Sequence, residues 1–424
     1  MSDTPSPALP KPHAPLHAQP ASATELIHHP YQPPTVFAAP TFGVHKASTV
    51  LFDSVAAMRD TTWMDKSGYT YGLHGTPTSF LLEERICALE GGLQTLLVPS
   101  GLAALALVPM ALLKAGDELL MPDNAYGPNK SLAEGELRNW GITHQFYDPM
   151  NPDDLAARIS DKTRLVWLEA AGSVTLEFPD LPALARICRE RGVTTALDNT
   201  WGAGIAFNPF DFGDGWGADI SAHALTKYPS GGGDVLMGSV TTRDALLHKK
   251  LKLAHMRLGL GVGMNDVEMV LRSLPTVHLR YGAADRSARA LARWASQQPA
   301  FVQVLHPALP GSPGHDHWRR LCAPAQARAD AGDDSGAAAS LFSVMLDPGC
   351  SPAQVDAFCD ALRLFRLGYS WGGPISLVVP YHLDEMRSLP TTLTPGHLIR
   401  FAVGLERTAD LQADLAQALS HALR

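Results

Sequence analysis

The chain has 424 residues, of which 46% are hydrophobic and 18% charged, and its formal net charge is −8. That length exceeds one ordinary domain and that composition supports a substantial core, so a globular protein of more than one lobe is expected. The acidic balance, with no basic tract, argues against a nucleic-acid partner, and no apolar run is long enough to cross a bilayer.

The chain opens on a stretch, Pro5 to Pro40, rich in Pro, Ala and His, and residues 1–75 read as an extended, partly disordered arm. It lacks the basic-then-apolar order of a signal peptide, so a cytoplasmic location is expected. His13, His17, His28 and His29 have neither regular spacing nor a nearby cysteine, and no metal site is expected. Cys87, Cys188, Cys322, Cys350 and Cys359 include no Cys-x-x-Cys pair and read as reduced thiols.

From residue 76 strand and helix patterns alternate. Helices are expected over Phe80–Glu90, Ala103–Leu113, Leu132–Trp140, Pro152–Ile159 and Leu181–Arg191. Strands are expected over Thr95–Val98, Glu118–Met121, His144–Tyr147, Leu165–Leu168 and Val193–Leu197. This order predicts a mostly parallel sheet covered on both faces, an α/β large domain spanning residues 76–273. A helical region from Arg243 to Ser296 follows, punctuated by Pro275 and Gly282. The tail alternates again: Leu341–Leu346 strand, Pro352–Ala361 helix, Ile375–Val379 and Leu398–Val403 strands, Ala409–Ala422 helix. It reads as a smaller α/β domain over residues 274–424. Ala323–Ser340, dense in Ala, Asp, Gly and Ser, reads as an exposed, mobile insertion.

Asp198 closes an apolar strand, and Lys227 lies shortly behind it in Ile220–Lys227, a segment with little charge. Pyridoxal phosphate needs such a pair: an amine for its aldehyde and a carboxylate to hold its ring nitrogen protonated. A strand-end aspartate can equally be a helix cap or metal ligand, and a lone lysine is usually just solvated. Leu225, Tyr228 and the Gly231-Gly232-Gly233 run make the lysine's surroundings confined, which favours a lowered proton affinity. Leu96–Ala103 reads as strand, tight turn and helix start, a place where backbone N–H groups hold phosphate and where Gly101 allows close approach. Tyr126 sits in a loop after a strand and could stack on a flat ring or pack locally. Arg400, on the apolar Leu398–Val403 strand, needs a carboxylate partner, either internal or that of an amino-acid substrate. Tyr369-Ser370-Trp371-Gly372-Gly373 is a turn with two aromatics, suited to walling a pocket.

Six landmarks combine with this pattern: Tyr71–Thr78, Leu89–Gly92, Asp198–Trp201, Thr226–Tyr228, His306–Ser312 and Tyr369–Gly373. On them, residues 50 to 424 resemble the cystathionine β-lyase branch of the Cys/Met-metabolism PLP-dependent enzymes. The resemblance implies the type I, aspartate aminotransferase-like fold and pyridoxal 5′-phosphate as cofactor. It implies that Lys227 bonds the cofactor and serves as catalytic base, and that Asp198 pairs with the ring nitrogen. Gly101, Leu102 and Thr226 would hold the phosphate, and Tyr126 would stack on the ring and help hand over protons. Tyr71 would reach the phosphate of a neighbouring subunit, in a homotetramer built from dimers. Arg400 would bind the substrate carboxylate, helped by Ser370, Trp371 and Tyr369. Two positions depart from the pattern: Leu73 stands where most relatives carry arginine, with His74 beside it as a partial substitute, and Ala224 where many carry serine. The implied activity is cleavage of L-cystathionine to homocysteine, pyruvate and ammonia, as in methionine biosynthesis. Rivals are a cysteine or cystine β-lyase, a γ-acting relative, and a non-catalytic regulatory binding protein. The γ-acting relatives often carry glutamate at the position of Tyr369.

Overall fold

A computed structural model describes residues 39–213, 215–323 and 336–422. Met1–Phe42 is one unit, of which residues 39–42 are described, and Gly43–Arg424 is the other. His13, His17, His28 and His29 lie outside the described residues. Residues 43–75 are not simply extended, contrary to the expectation for the arm. Helix α1 (Val55–Asp60) is capped by Ser54, whose Oγ accepts from the Ala57 N–H at 3.1 Å. Thr49 also bridges Tyr71 in antiparallel fashion. A serine ahead of Val-Ala-Ala-Met is a helix start, a local signal that the Pro- and Ala-rich composition hid.

The first lobe starts with α2 (Pro77–Glu90), whose Thr76 cap and Ser79 side chain satisfy each other's backbone N–H groups. Then come β1 (Gln94–Val98), α3 (Gly101–Leu112), β2 (Glu118–Pro122), α4 (Gly127–Leu132), β3 (Thr143–Tyr147), α5 (Pro152–Arg158), β4 (Thr163–Glu169), α6 (Leu181–Glu190), β5 (Thr194–Asp198), β6 (Ile220–His223) and β7 (Gly238–Thr242). The seven strands form one sheet in the order β1-β7-β6-β5-β4-β2-β3. Only β7 runs against its neighbours. The sheet is therefore mostly parallel, as the alternation predicts. Alternate residues of β1, Leu96 and Val98, pack under α3 against Leu107 and Val108. Each such fully buried side chain contributes about 1.5–3 kcal/mol.

Three first-lobe elements differ from the sequence reading. The helix expected over Leu132–Trp140 begins five residues earlier, at Gly127-Pro128, and widens into a π turn over Ala133–Leu137. Strands β6 and β7 were not anticipated. Both are short, and β7 is bounded by Gly238 and rich in Ser and Thr, so no long apolar run marks it.

The rest of the chain comprises α7 (Ala245–Leu258), α8 (Met264–Ser273), α9 (Val277–Ala295), β8 (Phe301–Leu305), α10 (His315–Cys322), β9 (Leu341–Leu346), α11 (Pro352–Ala361), β10 (Arg366–Leu367), β11 (Leu377–Tyr381), α12 (Leu383–Met386), β12 (Leu398–Ala402) and α13 (Thr408–Ala422). Its five strands are ordered β10-β11-β12-β9-β8, and Phe342, Val344, Phe358 and Phe401 centre a second core. Pro275 separates α8 from α9 through a single 3₁₀ turn, but Gly282 continues inside α9. One glycine costs about 1 kcal/mol in a helix, too little to break a segment rich in Ala, Arg and Leu.

The expected insertion is not exposed at its C-terminal end. Ala338, Ala339 and Ser340 are buried, and the Ser340 N–H donates to the Tyr228 hydroxyl at 2.9 Å. Residues 324–335 lie outside the described residues.

Three contacts bring residues 386–389 against the first sheet. The Asp123 carboxylate accepts from the Ser388 and Leu389 N–H groups at 3.0 Å. Lys130, ion-paired with Asp123, donates to the Met386 carbonyl at 2.9 Å. Arg387 pairs with Glu177 at 2.6 Å.

Candidate active site

A cavity of about 650 Å³ opens where residues of both sheets meet, at the carboxyl ends of β2, β4, β5 and β6. In a parallel sheet this edge carries the loops and helix N-termini, so chemistry collects there.

Two carboxylates form its floor. Asp198 ends β5 and Glu169 ends β4, and the two residues are direct partners in the sheet register. Burial raises both above the usual carboxylate range, and for Glu169, lifted well above it, the Asp198 charge is the next cause. Like charges that close cannot both ionise cheaply. Asp198 Oδ1 accepts from the Thr200 N–H at 3.0 Å, which favours its charged form, and Glu169 Oε2 accepts from the Tyr126 N–H at 2.9 Å. Glu169 was not singled out from the sequence. Its signal was the same as that of Asp198, an acid closing an apolar strand.

Lys227 enters from the turn after β6. Its Nζ donates to Ser370 Oγ at 2.6 Å and lies 5.3 Å from the Trp371 ring centroid. Burial, then the neighbouring Arg400 charge, brings the amine down to about 8, against the pull of Asp198. A fraction of it is therefore neutral, and nucleophilic, near neutral pH. At the cavity mouth Tyr126 keeps its phenol proton, because burial and then Asp198 and Glu169 disfavour the phenolate.

The opposite end of the cavity is the first turn of α3. Ser100 caps it, accepting from the Ala103 N–H at 3.0 Å. Gly101 and Leu102 present N–H groups that the helix itself cannot satisfy. A Cβ on Gly101 would lie 2.5 Å from the Ala224 Cβ, so the backbone here tolerates no side chain. Thr226 lines the cavity too, but its hydroxyl already exchanges hydrogen bonds with the Met237 N–H and carbonyl at 3.2 and 3.3 Å.

The second lobe supplies the facing wall. Arg400, on β12, is 7% exposed, lies 5.4 Å from the Tyr381 ring centroid and donates one long bond, 3.4 Å, to the Ser370 carbonyl. Among the described residues its Nε has no hydrogen-bond partner and no carboxylate pairs with it. A buried guanidinium in that state is a receptor for an anion. Tyr369, Ser370 and Trp371 line the same wall, with Tyr369 80% exposed at the rim.

Lys227, Asp198, Gly101, Leu102, Thr226, Tyr126, Arg400, Ser370, Trp371 and Tyr369 thus share one cavity. Tyr71 is not among the residues that line it; the side chain is 45% exposed and its hydroxyl accepts from Ser48 Oγ at 3.2 Å. Leu73 and His74 line a separate, smaller cavity with Lys252 and Glu83, and His74 Nδ1 bonds Thr70 Oγ1 at 2.8 Å.

The cavity fits pyridoxal phosphate on its own evidence. It offers a depressed lysine, a half-buried carboxylate with no salt-bridge partner among the described residues, an exposed helix N-terminus behind a glycine, and an aromatic at the mouth. No group of three or more His, Cys, Asp or Glu among the described residues is arranged to hold a metal. No helix among them is long and apolar enough to cross a membrane.

The family model for Cys/Met metabolism PLP-dependent enzymes matches residues 23–420. The cystathionine β-lyase of Bordetella avium is 36% identical, over 94% of this chain and 97% of its own length. The Escherichia coli cystathionine β-lyase MetC is 33% identical, over 88% of this chain and 91% of its own. Among solved structures, a cystathionine γ-synthase from Xanthomonas oryzae pv. oryzae, in complex with aminoacrylate and cysteine, is 30% identical with a TM-score of 0.79. That match covers 92% of this chain and 95% of the other.

Proposed function

The chain belongs to the Cys/Met metabolism PLP-dependent enzymes, and from that premise we propose that it is a carbon–sulfur β-lyase cleaving L-cystathionine to homocysteine, pyruvate and ammonia. The observation that carries this reading is the junction at Ser370. Its hydroxyl accepts from Lys227 Nζ at 2.6 Å, while its carbonyl accepts from the unsatisfied Arg400. An amino acid with its carboxylate on Arg400 therefore presents its α-carbon to Lys227.

When bound, pyridoxal phosphate supplies the electron sink that makes loss of the α-proton feasible. The chain's own groups do the rest. Asp198 would hold the ring nitrogen, and the Gly101 and Leu102 N–H groups would hold the phosphate. Neutral Lys227 takes the α-proton. The Tyr126 phenol, held protonated by burial, donates to the departing thiolate. The Trp371 and Tyr126 rings keep water from the reacting carbon.

The acids present support cleavage at Cβ over Cγ in this reading. A γ-elimination removes a β-proton as well as the α-proton. Among the described residues the cavity holds only Glu169 and Asp198 as carboxylates, and both lie on the floor. Tyr369, on the outer wall, supplies none. The two β-lyase relatives support this reading, while the γ-synthase structure keeps γ-chemistry as the second reading. Assay of L-cystathionine, L-cystine and L-cysteine for pyruvate against 2-oxobutyrate separates them. Pyruvate with homocysteine from cystathionine is expected, and 2-oxobutyrate with cysteine refutes the β-assignment.

Tyr71 completes the site of a neighbouring subunit in this reading, within a cytoplasmic homotetramer built from two dimers. Mixing Lys227→Ala with Tyr71→Phe subunits then restores part of the activity that each lacks alone. Mixed dimers without recovery contradict a shared site.

A further inference from the structure

Behind the Asp198 carboxylate lies a second ionisable pair that the mechanism leaves unused. Glu90, the last residue of α2, is 1% exposed. Its Oε1 accepts from Asn199 Nδ2 at 3.0 Å and from Ser221 Oγ at 2.9 Å, while Oε2 has no hydrogen-bond partner among the described residues. His223, the last residue of β6, is 0% exposed, with Nδ1 3.5 Å from Glu90 Oε1. Neither ring nitrogen has a closer partner among the described residues.

Two neutral donors on one oxygen do not neutralise a buried carboxylate; a cation does. Although burial works against it, Glu90 is held below the usual carboxylate range, with His223 the foremost cause. His223 also faces the cavity, and the residue before it, Ala222, pairs with Asp198 in the sheet. The charged groups around the imidazole are thus Glu90 from α2, Asp198 from β5 and Lys227 from the turn after β6.

Asp198 needs that help. Burial drives it toward the neutral acid, while Thr200, His223 and Lys227 oppose this in that order. With Lys227 assigned to the cofactor, His223 is the other group beside Asp198 able to carry a positive charge. We propose that Glu90 and His223 are positioning residues acting through Asp198: Glu90 fixes a positively charged His223 beside Asp198, and that charge keeps Asp198 ionised against the ring nitrogen of the bound cofactor. This rests on the assignment of Asp198 to the ring nitrogen.

The test is equilibrium binding of two ligands to the full-length protein resolved of cofactor. One is pyridoxal phosphate; the other is its 1-deaza analogue, which carries C–H in place of the ring nitrogen. The unaltered protein prefers pyridoxal phosphate. Glu90→Gln keeps the shape and the Asn199 and Ser221 contacts, and it lowers the preference about tenfold, the equivalent of one pKa unit at Asp198. Its affinity for the deaza analogue stays unchanged. His223→Gln does the same and carries the test if Glu90→Gln fails to fold. In an Asp198→Asn background the preference is already gone and Glu90→Gln adds nothing.

A loss of affinity equal for both ligands means that the pair only supports the fold, and overturns the proposal. A lost preference in Asp198→Asn with an intact one in both Glu90→Gln and His223→Gln overturns the relay alone. A preference that survives Asp198→Asn overturns the assignment beneath it, and the relay with it.

Discussion

The two walls of the cavity are built on opposite plans. On the first-lobe side, Asp198 and Glu169 end adjacent strands, and the α3 N-terminus follows β1 after a two-residue turn. The two carboxylates are held in register by the sheet and already accept from the Thr200 and Tyr126 N–H groups. On the second-lobe side Ser370 sits at φ 90° and Gly372 at φ 79°, in an irregular turn that faces a guanidinium with its Nε unsatisfied. A wall made of strand ends suits a ligand that never changes. A wall made of a turn and a waiting cation suits one that arrives, reacts and leaves. In the proposed reading the cofactor falls to the wall whose carboxylates are bonded in advance, and the substrate to the wall whose guanidinium is not.

That contrast breaks most severely at Lys227, which serves both walls. Lys227→Ala removes the covalent anchor and the α-proton base together. It should lower kcat by about 10⁴-fold or more while leaving loose, dialysable binding of pyridoxal phosphate. Steady-state kinetics with dialysis checks this, and retention of more than a few per cent of activity contradicts it.

Arg400→Ala touches only the second wall. It should cut kcat/KM by about 30-fold or more and leave cofactor binding unchanged. Arg400→Lys should recover only part, because a point charge does not reproduce the planar fork. Loss of cofactor in either variant would blur the division of labour between the walls.

A smaller effect sharpens the first wall. The Lys227 amine, held near 8, captures pyridoxal phosphate only when neutral. The rate of capture by the cofactor-free protein should rise with pH through about 8 and level off above it. Well below that point it should fall about tenfold per pH unit. A rise that continues to pH 10 would mean that neither burial nor Arg400 depresses the amine.

The same contrast explains what the sequence disclosed. Asp198 was legible because an apolar strand ended on it, and Lys227 because its neighbours carry little charge. Glu169 carried the Asp198 signal but was passed over, since Ala170-Ala171-Gly172 after it suggests nothing chemical. Glu90 and His223 lay inside segments already singled out, Leu89–Gly92 and Ile220–Lys227, but their pairing was not legible, because only the fold makes the end of a helix and the end of a strand neighbours. The reversed β7 escaped for want of an apolar run. Arg400 was legible as a residue in search of an anion, but its lack of an internal partner is a fact of three dimensions.

The most direct test of the account is chemical trapping on the intact enzyme. Borohydride reduction of the protein loaded with pyridoxal phosphate, followed by proteolysis and mass spectrometry, should place one pyridoxyl group on the peptide containing Lys227. The label should vanish in Lys227→Ala. A label on any other lysine, or none in a protein that binds the cofactor, would contradict the site described here.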